Sequence, residues 1–344
     1  MLIKKTKIPF KEIVTVGILP SFLKKIIYRL KGYKIGKNVS FSLGSVIIGK
    51  NVFIDDNVSF GFTTVVRGKE INIGRYVSIG SMTMIDTEKI IIGEDTRINE
   101  NVIIGGIKTP DSMISIGKRV IIMEYSFINP TKPIIIGDDT GIGGHCLLFT
   151  HGSWLSQLDG FPVTFAPITL GRKVWLPWRV FIMPGVTIGD EVVIGANSLI
   201  TKSLPSNVLA AGNPAQIIKE NYPPKISDEK RDSILASIIS DFLEYLSYNG
   251  ISSSRQDFNN NILIEFSKKN KKHKMLFLKD NNKELLQNHK LDILVCDFEG
   301  SSDTIYPSKM ILNLKNKTRI GSSDLGEEFA KFISRYGVRF DRLD

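Results

Sequence analysis

Aliphatic residues recur every six positions along much of the chain. The residue after each of them is often Gly, Asp or Asn, as in "IGKNV", "IGEDT" and "IGDEV". A period of six matches neither a helix, with about 3.6 residues per turn, nor an alternating strand, with a period of about two. It indicates a short strand followed by a turn, with one aliphatic side chain per unit pointing into a core. The expected inward positions form triplets: Ile48, Ile54 and Phe60; Ile73, Ile79 and Ile85; Ile92, Ile98 and Ile104; Ile116, Ile122 and Ile128; Ile136, Ile142 and Leu148; Leu170, Leu176 and Ile182; and Ile188, Ile194 and Ile200.

The repeat is interrupted only after the third unit of a triplet. The step is 13 residues after Phe60 and 22 residues after Leu148, against six within a triplet. If three units make one turn of a triangular coil, every excursion therefore lies at the same corner. Long ordered insertions cost little closure entropy and are usually functional. The longest one has a histidine, His151, at its base.

The repeat strongly resembles the hexapeptide-repeat proteins, in which three hexads form one coil of a left-handed parallel β-helix. The resemblance covers roughly residues 35–220 and ends near "AGNPA", residues 211–215. The stretch from "THGSW" to "KVWLPW", residues 150–178, is similar to the acetyltransferase branch that O-acetylates sugars, including galactoside, Nod-factor, capsule and O-antigen acetyltransferases. It implies a mainly β fold: a left-handed parallel β-helix with an N-terminal helical arm and a small C-terminal α/β or α+β domain.

The resemblance also assigns a catalytic role to His151. In that branch a histidine on the extended loop is the general base and lies upstream of a Val–Trp pair, here Val174–Trp175. Chemistry agrees, because a base must remove the hydroxyl proton during acetyl transfer and histidine titrates near neutral pH. Asn129 follows the third inward residue of the preceding coil, so we expect it about one strand spacing, ~4.8 Å, from the same corner. It is a candidate to orient the imidazole or to bind the acceptor.

The resemblance implies acetyl-CoA as the acyl donor. Because Pro177 has no N–H, a donor to the developing oxyanion at this position is expected to be the N–H of Trp178. The lysines are expected to meet phosphates by charge. The candidate cofactor-binding residues are Trp175, Trp178, Ala196, Thr201, Lys202 and Lys219.

A metal centre is not expected in the repeat. The γ-class carbonic anhydrases resemble this fold but use three histidines around zinc. Here the repeat contains His145 and His151, which occupy equivalent places in successive hexads. Successive hexads lie on different sides of the triangle, so the two rings are not expected to meet at one ion.

The basic charge is concentrated at the N terminus. The net charge of the chain is +10, and residues 1–34 account for +8 of it, with nine Lys and Arg against one Glu. Residues 21–31 place Phe22, Leu23, Ile26, Ile27 and Leu30 on one helical face. We expect this arm, residues 1–34, to cover the open end of the next domain, since helices usually bury an apolar face within the protein. The alternative is peripheral contact with an anionic membrane surface.

Two further features bear on location. The two cysteines cannot form a disulfide framework, so a reducing compartment, the cytoplasm, is the expected location. The apolar run at residues 13–19 is too short to span a bilayer.

Residues 221–344 predict a separate small domain of unknown role. A linker, "NYPPKIS" (residues 221–227), precedes helical spacing at residues 234–246. Four strand-like runs follow, "NILIEF", "HKMLFL", "LDILVCDF" and "KMILNL", and then a helix beginning at Asp324. Binding of the acceptor glycan, binding of another protein and extension of the oligomer all remain open for this domain.

The sequence therefore predicts an acetyl-CoA-dependent O-acetyltransferase that acts on a hydroxyl of a cell-envelope saccharide. The alternatives are an N-acetyltransferase of an amino sugar, an antibiotic acetyltransferase, and a non-catalytic β-helix scaffold. The resemblance implies a homotrimer with the substrate site between subunits, and no nucleic-acid partner is expected.

Overall fold

The computed structural model describes residues 9–258, 261–268, 271–279, 291–297 and 308–343. The first eight residues of the basic arm and Phe298, at the end of one predicted strand, lie outside the described residues. The chain divides into two compact units, Met1–Pro224 and Lys225–Asp344. None of the described helices is long and apolar enough to cross a membrane.

The first unit is mainly β, as predicted, and its strands are short because each hexad contributes only a few extended residues. They are β1 (Lys34–Ile35), β2 (Ser40–Phe41), β3 (Val46–Ile48), β4 (Asn51–Ile54), β5 (Ser59–Phe60), β6 (Val65–Arg67), β7 (Glu70–Ile73), β8 (Ser78–Ile79), β9 (Met84–Asp86), β10 (Lys89–Ile92), β11 (Arg97–Ile98), β12 (Ile103–Gly105), β13 (Met113–Ile116), β14 (Ile121–Ile122), β15 (Phe127–Asn129), β16 (Ile134–Ile136), β17 (Gly141–Ile142), β18 (Leu147–Phe149), β19 (His151–Gly152), β20 (Thr164–Phe165), β21 (Ile168–Leu170), β22 (Trp175–Leu176), β23 (Phe181–Ile182), β24 (Thr187–Ile188), β25 (Val193–Ile194), β26 (Leu199–Ile200), β27 (Val208–Gly212) and β28 (Ala215–Glu220).

Up to β26 and apart from the hairpin β19–β20, successive strands join three sheets in rotation, and all pairs within these sheets are parallel except β27–β28. The first sheet has the order β1-β4-β7-β10-β13-β16-β21-β24, and the second has β2-β5-β8-β11-β14-β17-β22-β25-β27-β28. The third has β3-β6-β9-β12-β15-β18-β23-β26. Pairing keeps the aliphatic positions in line, as where Ile92 lies between Ile73 and Ile116. The strands thus contribute apolar side chains to a continuous buried core shared by the three sheets, and several strands of the first sheet contribute two each, as Ile90 and Ile92 of β10 do.

The phase of the first coil differs from the predicted one. In β3 the inward residue is Ile47, which is 2% exposed, whereas Ile48 is only half-buried. Ile47 pairs with the fully buried Val66 of β6. The predicted first triplet is therefore wrong at Ile48, whereas its other two members, Ile54 and Phe60, are buried as predicted. Val66 stands six residues after Phe60 and continues the repeat, so the apparent step of 13 is an ordinary step of six followed by one of seven.

The N-terminal arm contains a short helix, a π-helical turn and a longer helix. These are α1 (Phe10–Glu12), residues Ile13–Gly17, and α2 (Ser21–Leu30). α2 packs over the first strands, but not with the face that the sequence predicts. Its buried residues are Lys24 and Tyr28, while Phe22, Ile26 and Leu30 are exposed. The prediction that the apolar stripe covers the core is therefore wrong for these three residues, whereas Leu23 and Ile27 are half-buried.

Hydrogen bonds explain why α2 buries a lysine. Lys24 Nζ donates to the carbonyl oxygens of Ser42 (2.7 Å) and Ser45 (3.0 Å). The Tyr28 hydroxyl accepts from the N–H of Ile47 (2.9 Å) and the ring lies in the core. Polar atoms of the first coil, which lack a preceding coil to pair with, are thus satisfied by the helix.

The described part of the second unit is a mixed sheet with two helices packed on one face. Its helices are α3 (Asp228–Tyr248) and α4 (Asp324–Ile333). Its strands are β29 (Ser252–Phe258), β30 (Asn261–Lys268), β31 (Lys271–Leu278), β32 (Leu291–Cys296), β33 (Ser308–Asn313), β34 (Thr318–Gly321) and β35 (Asp341–Arg342), paired in that order. α4 begins at Asp324, as predicted, and its N-cap is Ser323, whose hydroxyl accepts from the Gly326 N–H.

Candidate active site

The long insertion forms a β-hairpin at the corner of the coil that follows the strands of the third sheet. β19 and β20 pair antiparallel, with His151 opposite Phe165. Their rings are stacked, with centroids 5.6 Å apart and planes inclined by 13°. A 3₁₀ turn at Gln157–Asp159 lies within the loop. His151 is therefore held at the base of the hairpin by both a backbone pair and a ring contact.

Thr150 fixes the hairpin to the preceding coil. It is fully buried, and its hydroxyl donates to the carbonyl oxygen of Asn129 (2.7 Å) and accepts from the N–H of Lys132 (2.9 Å). Its carbonyl oxygen accepts from the N–H of Ala166 (2.9 Å), at the other end of the insertion. In the sequence, Thr150 carries only one signal, a hydroxyl directly before the candidate base. Through it the position of His151 depends on the coil below.

One nitrogen of the candidate base is unsatisfied. His151 is half-buried, and its Nδ1 is buried with no hydrogen-bond partner among the described residues. A buried polar group left unpaired costs about 1–3 kcal/mol. The unpaired Nδ1 thus departs from the usual pattern, in which a buried polar group has a hydrogen-bond partner.

Asn129 lies beside the hairpin base, as its position in the repeat predicts. It pairs in register with Phe149 of the next coil and is 5% exposed. Its Oδ1 accepts from the Thr131 hydroxyl (2.8 Å). A Cβ on Gly106 would approach Oδ1 to 2.0 Å, so the amide fills the space that this glycine leaves. The observed contacts of Oδ1 thus fix the amide locally.

Thr201 and Lys202 lie further up the same corner. They follow β26, which pairs with β23, and β23 pairs with β18 immediately before His151. Two coil steps separate the levels, or roughly 10 Å at the usual strand spacing. Both residues are exposed. A ligand running along this corner would therefore meet His151 and Lys202 in turn.

The other candidate cofactor residues lie on or beside the second sheet. Trp175 is on the outer face of the second sheet, 37% exposed, in a row that leads through β25 and β27 to Lys219 of β28. Trp178 is at the corner between the second and third sheets and is 48% exposed. The N–H of Asn197 donates to the Trp178 carbonyl oxygen (2.9 Å), which brings the exposed Ala196 to the same corner.

Two glycines make room for the tryptophan rings. A Cβ on Gly141 would lie 2.5 Å from Trp175 Cε3, and one on Gly144 would lie 2.4 Å from Trp178 Cζ3. Real Cβ atoms do not approach ring atoms so closely. Each indole therefore occupies the space that a side chain on the glycine of the coil below would fill.

His145 belongs to the corner of Trp178 and not to that of His151. Its ring stacks on Tyr125 (5.1 Å) and lies 5.7 Å from the Trp178 ring. No group of three His, Cys, Asp or Glu that could hold a metal ion occurs among the described residues. Cys146 follows His145 in the chain. Burial raises the pKa of its thiol to about 11, so this thiol is protonated at neutral pH.

The candidate residues of one chain thus fall into two groups. His151, Asn129, Thr201 and Lys202 share the corner after the third sheet, whereas the tryptophans, Ala196 and Lys219 lie on or beside the second sheet. The third sheet, which forms one side of the triangular cross-section of the coil, lies between the two groups. Six extended residues span at most roughly 20 Å. One chain alone does not gather all of them around one small reacting centre.

Comparisons with known proteins identify relatives of this chain. No family model matches it. A putative colanic acid biosynthesis acetyltransferase of Escherichia coli (strain K12) is 34% identical over 129 residues, which is 36% of this chain and 69% of that protein. The galactoside O-acetyltransferase of the same strain is 39% identical over 112 residues, 32% of this chain and 55% of that protein.

Solved structures include a galactoside acetyltransferase in complex with coenzyme A. It is 23% identical to this chain, with a TM-score of 0.29 over 64% of this chain and 84% of that one. The sequence relationship is the stronger finding, because the identity exceeds 30% over more than two thirds of the colanic acid relative. With the six-residue repeat and its three parallel sheets, it shows that this chain is an acetyltransferase and belongs to the sugar O-acetyltransferases of the hexapeptide-repeat family.

Proposed function

We propose that this chain transfers an acetyl group from acetyl-CoA to a hydroxyl of a cell-envelope saccharide, with His151 as the general base. The acceptor oxygen attacks the thioester carbonyl carbon while its proton passes to the imidazole. The bond between the carbonyl carbon and the sulfur then breaks, and the departing thiolate takes the proton from the imidazole. The acceptor class rests on the relatives, which are named for colanic acid biosynthesis and for galactosides.

The observation that carries the proposal is the state of His151. Its backbone is pinned by the hairpin and by Thr150, its ring rests on Phe165, and its buried Nδ1 lacks a partner among the described residues. A structural histidine in a core would have both nitrogens satisfied or exposed. A rigid imidazole with spare hydrogen-bonding capacity suits a base that handles a proton during turnover.

We propose that acetyl-CoA binds along the corner above His151. The exposed Lys202 and Thr201 lie roughly 10 Å up the corner and supply a cation and a hydroxyl for the cofactor's phosphates. Trp175, Trp178, Ala196 and Lys219 would complete the donor site from a second subunit. The coil is taken to be left-handed, as in the family.

We propose a homotrimer, which two observations support. The candidate residues are split between two corners of one chain, so a complete site needs a neighbouring copy. The hairpin tip also leaves Trp154 and Leu158 97% and 99% exposed. Large apolar side chains clustered on a monomer surface mark an interaction site. We therefore propose that the tip packs against the next subunit and closes the site between them.

We place the enzyme in the cytoplasm, where acetyl-CoA is available. Both cysteines, Cys146 and Cys296, are buried thiols, which is consistent with a reducing compartment.

The test is release of coenzyme A thiol from acetyl-CoA in the presence of a panel of saccharides, with product hydroxyls and amines mapped by mass spectrometry. The proposal requires ester formation on a saccharide hydroxyl. Amide formation on an amino sugar would replace the acceptor class, and absence of saccharide-dependent thiol release would favour a scaffold role. Light scattering that detects a stable, active monomer would contradict the shared site.

A further inference from the structure

The outer face of α2 is apolar and lies opposite the face that packs on the coil. With about 100° per residue, Phe22, Ile26 and Leu30 lie within one 80° sector, and Lys24 and Tyr28 lie about 180° from its centre. The three apolar residues are 60%, 50% and 82% exposed. We call them the outer face of α2.

The orientation of this face is fixed by the contacts on the other side. Lys24 Nζ donates to two carbonyl oxygens and to the Ser45 hydroxyl (3.2 Å), and Tyr28 is bonded to the β3 backbone. Rotating the helix to bury the outer face would break all of these buried hydrogen bonds. The exposure of the outer face is therefore a property of the folded arm.

The segment before α2 extends the exposed apolar surface. Phe10 is 72% exposed, Val14 46% and Ile18 58%. Together with the outer face this makes six exposed apolar side chains in 21 residues, Phe10 to Leu30. A soluble monomer scatters such residues singly, whereas a concentrated set marks an interaction surface.

The charges around this surface determine what covers it. On the helical wheel Arg29 borders the outer face and Lys25 lies beyond it, and Lys31 and Lys34 follow the helix. Glu12 is the sole acidic residue among residues 1–34, which carry +8. A second copy of the arm would bring two strongly positive surfaces together and would be repelled. The fitting partner is apolar in its interior and negatively charged at its surface.

We propose that the arm is a peripheral membrane anchor, in which α2 lies in the interface of an anionic lipid bilayer with its outer face among the acyl chains. Exposed apolar side chains bordered by Lys and Arg form the amphipathic pattern that binds such interfaces. Each cation near an anionic surface strengthens binding roughly five-fold. Ten residues lie flat in the interface and need not span the bilayer.

The anchor also sets the height of the candidate active site. β3 lies in the first coil, next to α2, and β18, which leads to His151, lies five pairings higher in the third sheet. At the usual spacing this is roughly 24 Å. An acceptor that projects from the bilayer surface would reach His151 at that height. The anchor is therefore compatible with the proposed function, but it does not depend on that function.

The experiment is cosedimentation of the full chain with vesicles of phosphatidylcholine alone and of an equimolar mixture of phosphatidylcholine and phosphatidylglycerol. We expect pelleting with the anionic vesicles, little with the neutral ones, and loss of binding as salt is raised. Pelleting that does not differ between the two compositions, or that is absent from both, would overturn the proposal.

Two variants separate the apolar and the charged contributions, each with a matched control in the second unit. The apolar variant is Phe22→Ser, Ile26→Ser and Leu30→Ser, and its control is Ile226→Ser, Ile234→Ser and Leu343→Ser. The charge variant is Lys25→Gln, Lys31→Gln and Lys34→Gln, and its control is Lys225→Gln, Lys230→Gln and Lys315→Gln.

We expect the apolar variant to lower the vesicle partition coefficient at least ten-fold and the charge variant to lower it roughly 100-fold at low salt. The controls should bind like the wild type. All substituted side chains of the apolar variant are exposed, so its circular dichroism, its melting temperature and its thiol release with a soluble acceptor should be unchanged. If this variant instead dissociates an oligomer and binds vesicles normally, the outer face is an interface between copies and the proposal is wrong.

Discussion

Replacing Thr150 by valine should lower turnover by displacing the candidate base without touching the substrates. Valine matches the shape of threonine but lacks the hydroxyl that donates to the Asn129 carbonyl oxygen and accepts from the Lys132 N–H. The bond to the Asn129 carbonyl oxygen, which still accepts from the Thr150 N–H, has a net value of about 1 kcal/mol, and the Lys132 N–H left without its partner costs about 1–3 kcal/mol more. The first unit should therefore be destabilised by about 2–4 kcal/mol.

This loss has a structural and a kinetic consequence. For a unit of this size the melting temperature should fall by roughly 5–15 °C. His151 is the next residue, and a displacement of about 1 Å in a reacting group costs up to 10²-fold in rate. We therefore expect kcat to fall roughly 10- to 100-fold, while KM for acetyl-CoA changes little because the donor contacts remain.

The assay is thiol release at saturating acceptor, together with thermal unfolding of the same preparation. Thr150→Ser keeps the hydroxyl and should restore most of the kcat, although it removes a buried methyl group. If Thr150→Val unfolds at a lower temperature yet turns over like the wild type, the hydroxyl stabilises the coil but does not position His151, and the reasoning above is refuted.

Three further predictions concern the donor site and the arm. Lys202→Ala should raise KM for acetyl-CoA roughly 10- to 100-fold with kcat nearly unchanged, because a charged hydrogen bond far from the reacting atoms is worth about 1.5–3 kcal/mol; an unchanged KM would make Lys202 an ordinary surface residue. Gly144→Ala should raise the same KM by pushing the Trp178 ring away, whereas Gly105→Ala, whose Cβ would lie 3.4 Å from its nearest neighbour, should not; equal effects would exclude a role for the ring. Burial lowers the pKa of the Lys24 ammonium to about 8, below its unfolded value, so the unfolded chain binds more protons between these values and stability should rise from pH 8 towards pH 10.5. Lys24→Met should flatten that rise in denaturant titrations, and an unchanged slope would contradict the burial argument.

The repeat could be predicted because each coil depends on aliphatic residues at a fixed spacing. The same spacing places the insertion and His151 at the corner of the coil that follows the strands of the third sheet. The prediction failed at the first coil, where three adjacent aliphatic residues, Val46, Ile47 and Ile48, each fit an inward position. Only pairing with β6 determines which side chain points inward.

The arm shows a different limit. Hydrophobicity alone predicts that Phe22 and Ile26 are buried, but the unpaired polar groups of the first coil select Lys24 and Tyr28 instead. In the second unit, β29 escaped prediction because its sequence, "SSSRQDF", is polar and every side chain is exposed. At the candidate site, the anchoring role of Thr150 depends on contacts between coils, which sequence spacing does not reveal.

The central claim is that His151 removes the acceptor proton, and the most direct measurement is the kcat of His151→Ala with the true saccharide acceptor. Acetyl-CoA affinity by calorimetry and subunit mass by light scattering serve as controls, and both should match the wild type. We predict that kcat falls by ~10²–10⁴, the usual contribution of a general base. A kcat near that of the wild type, with donor binding and assembly intact, would contradict the claim and move the base elsewhere, with His145 as the next residue to replace.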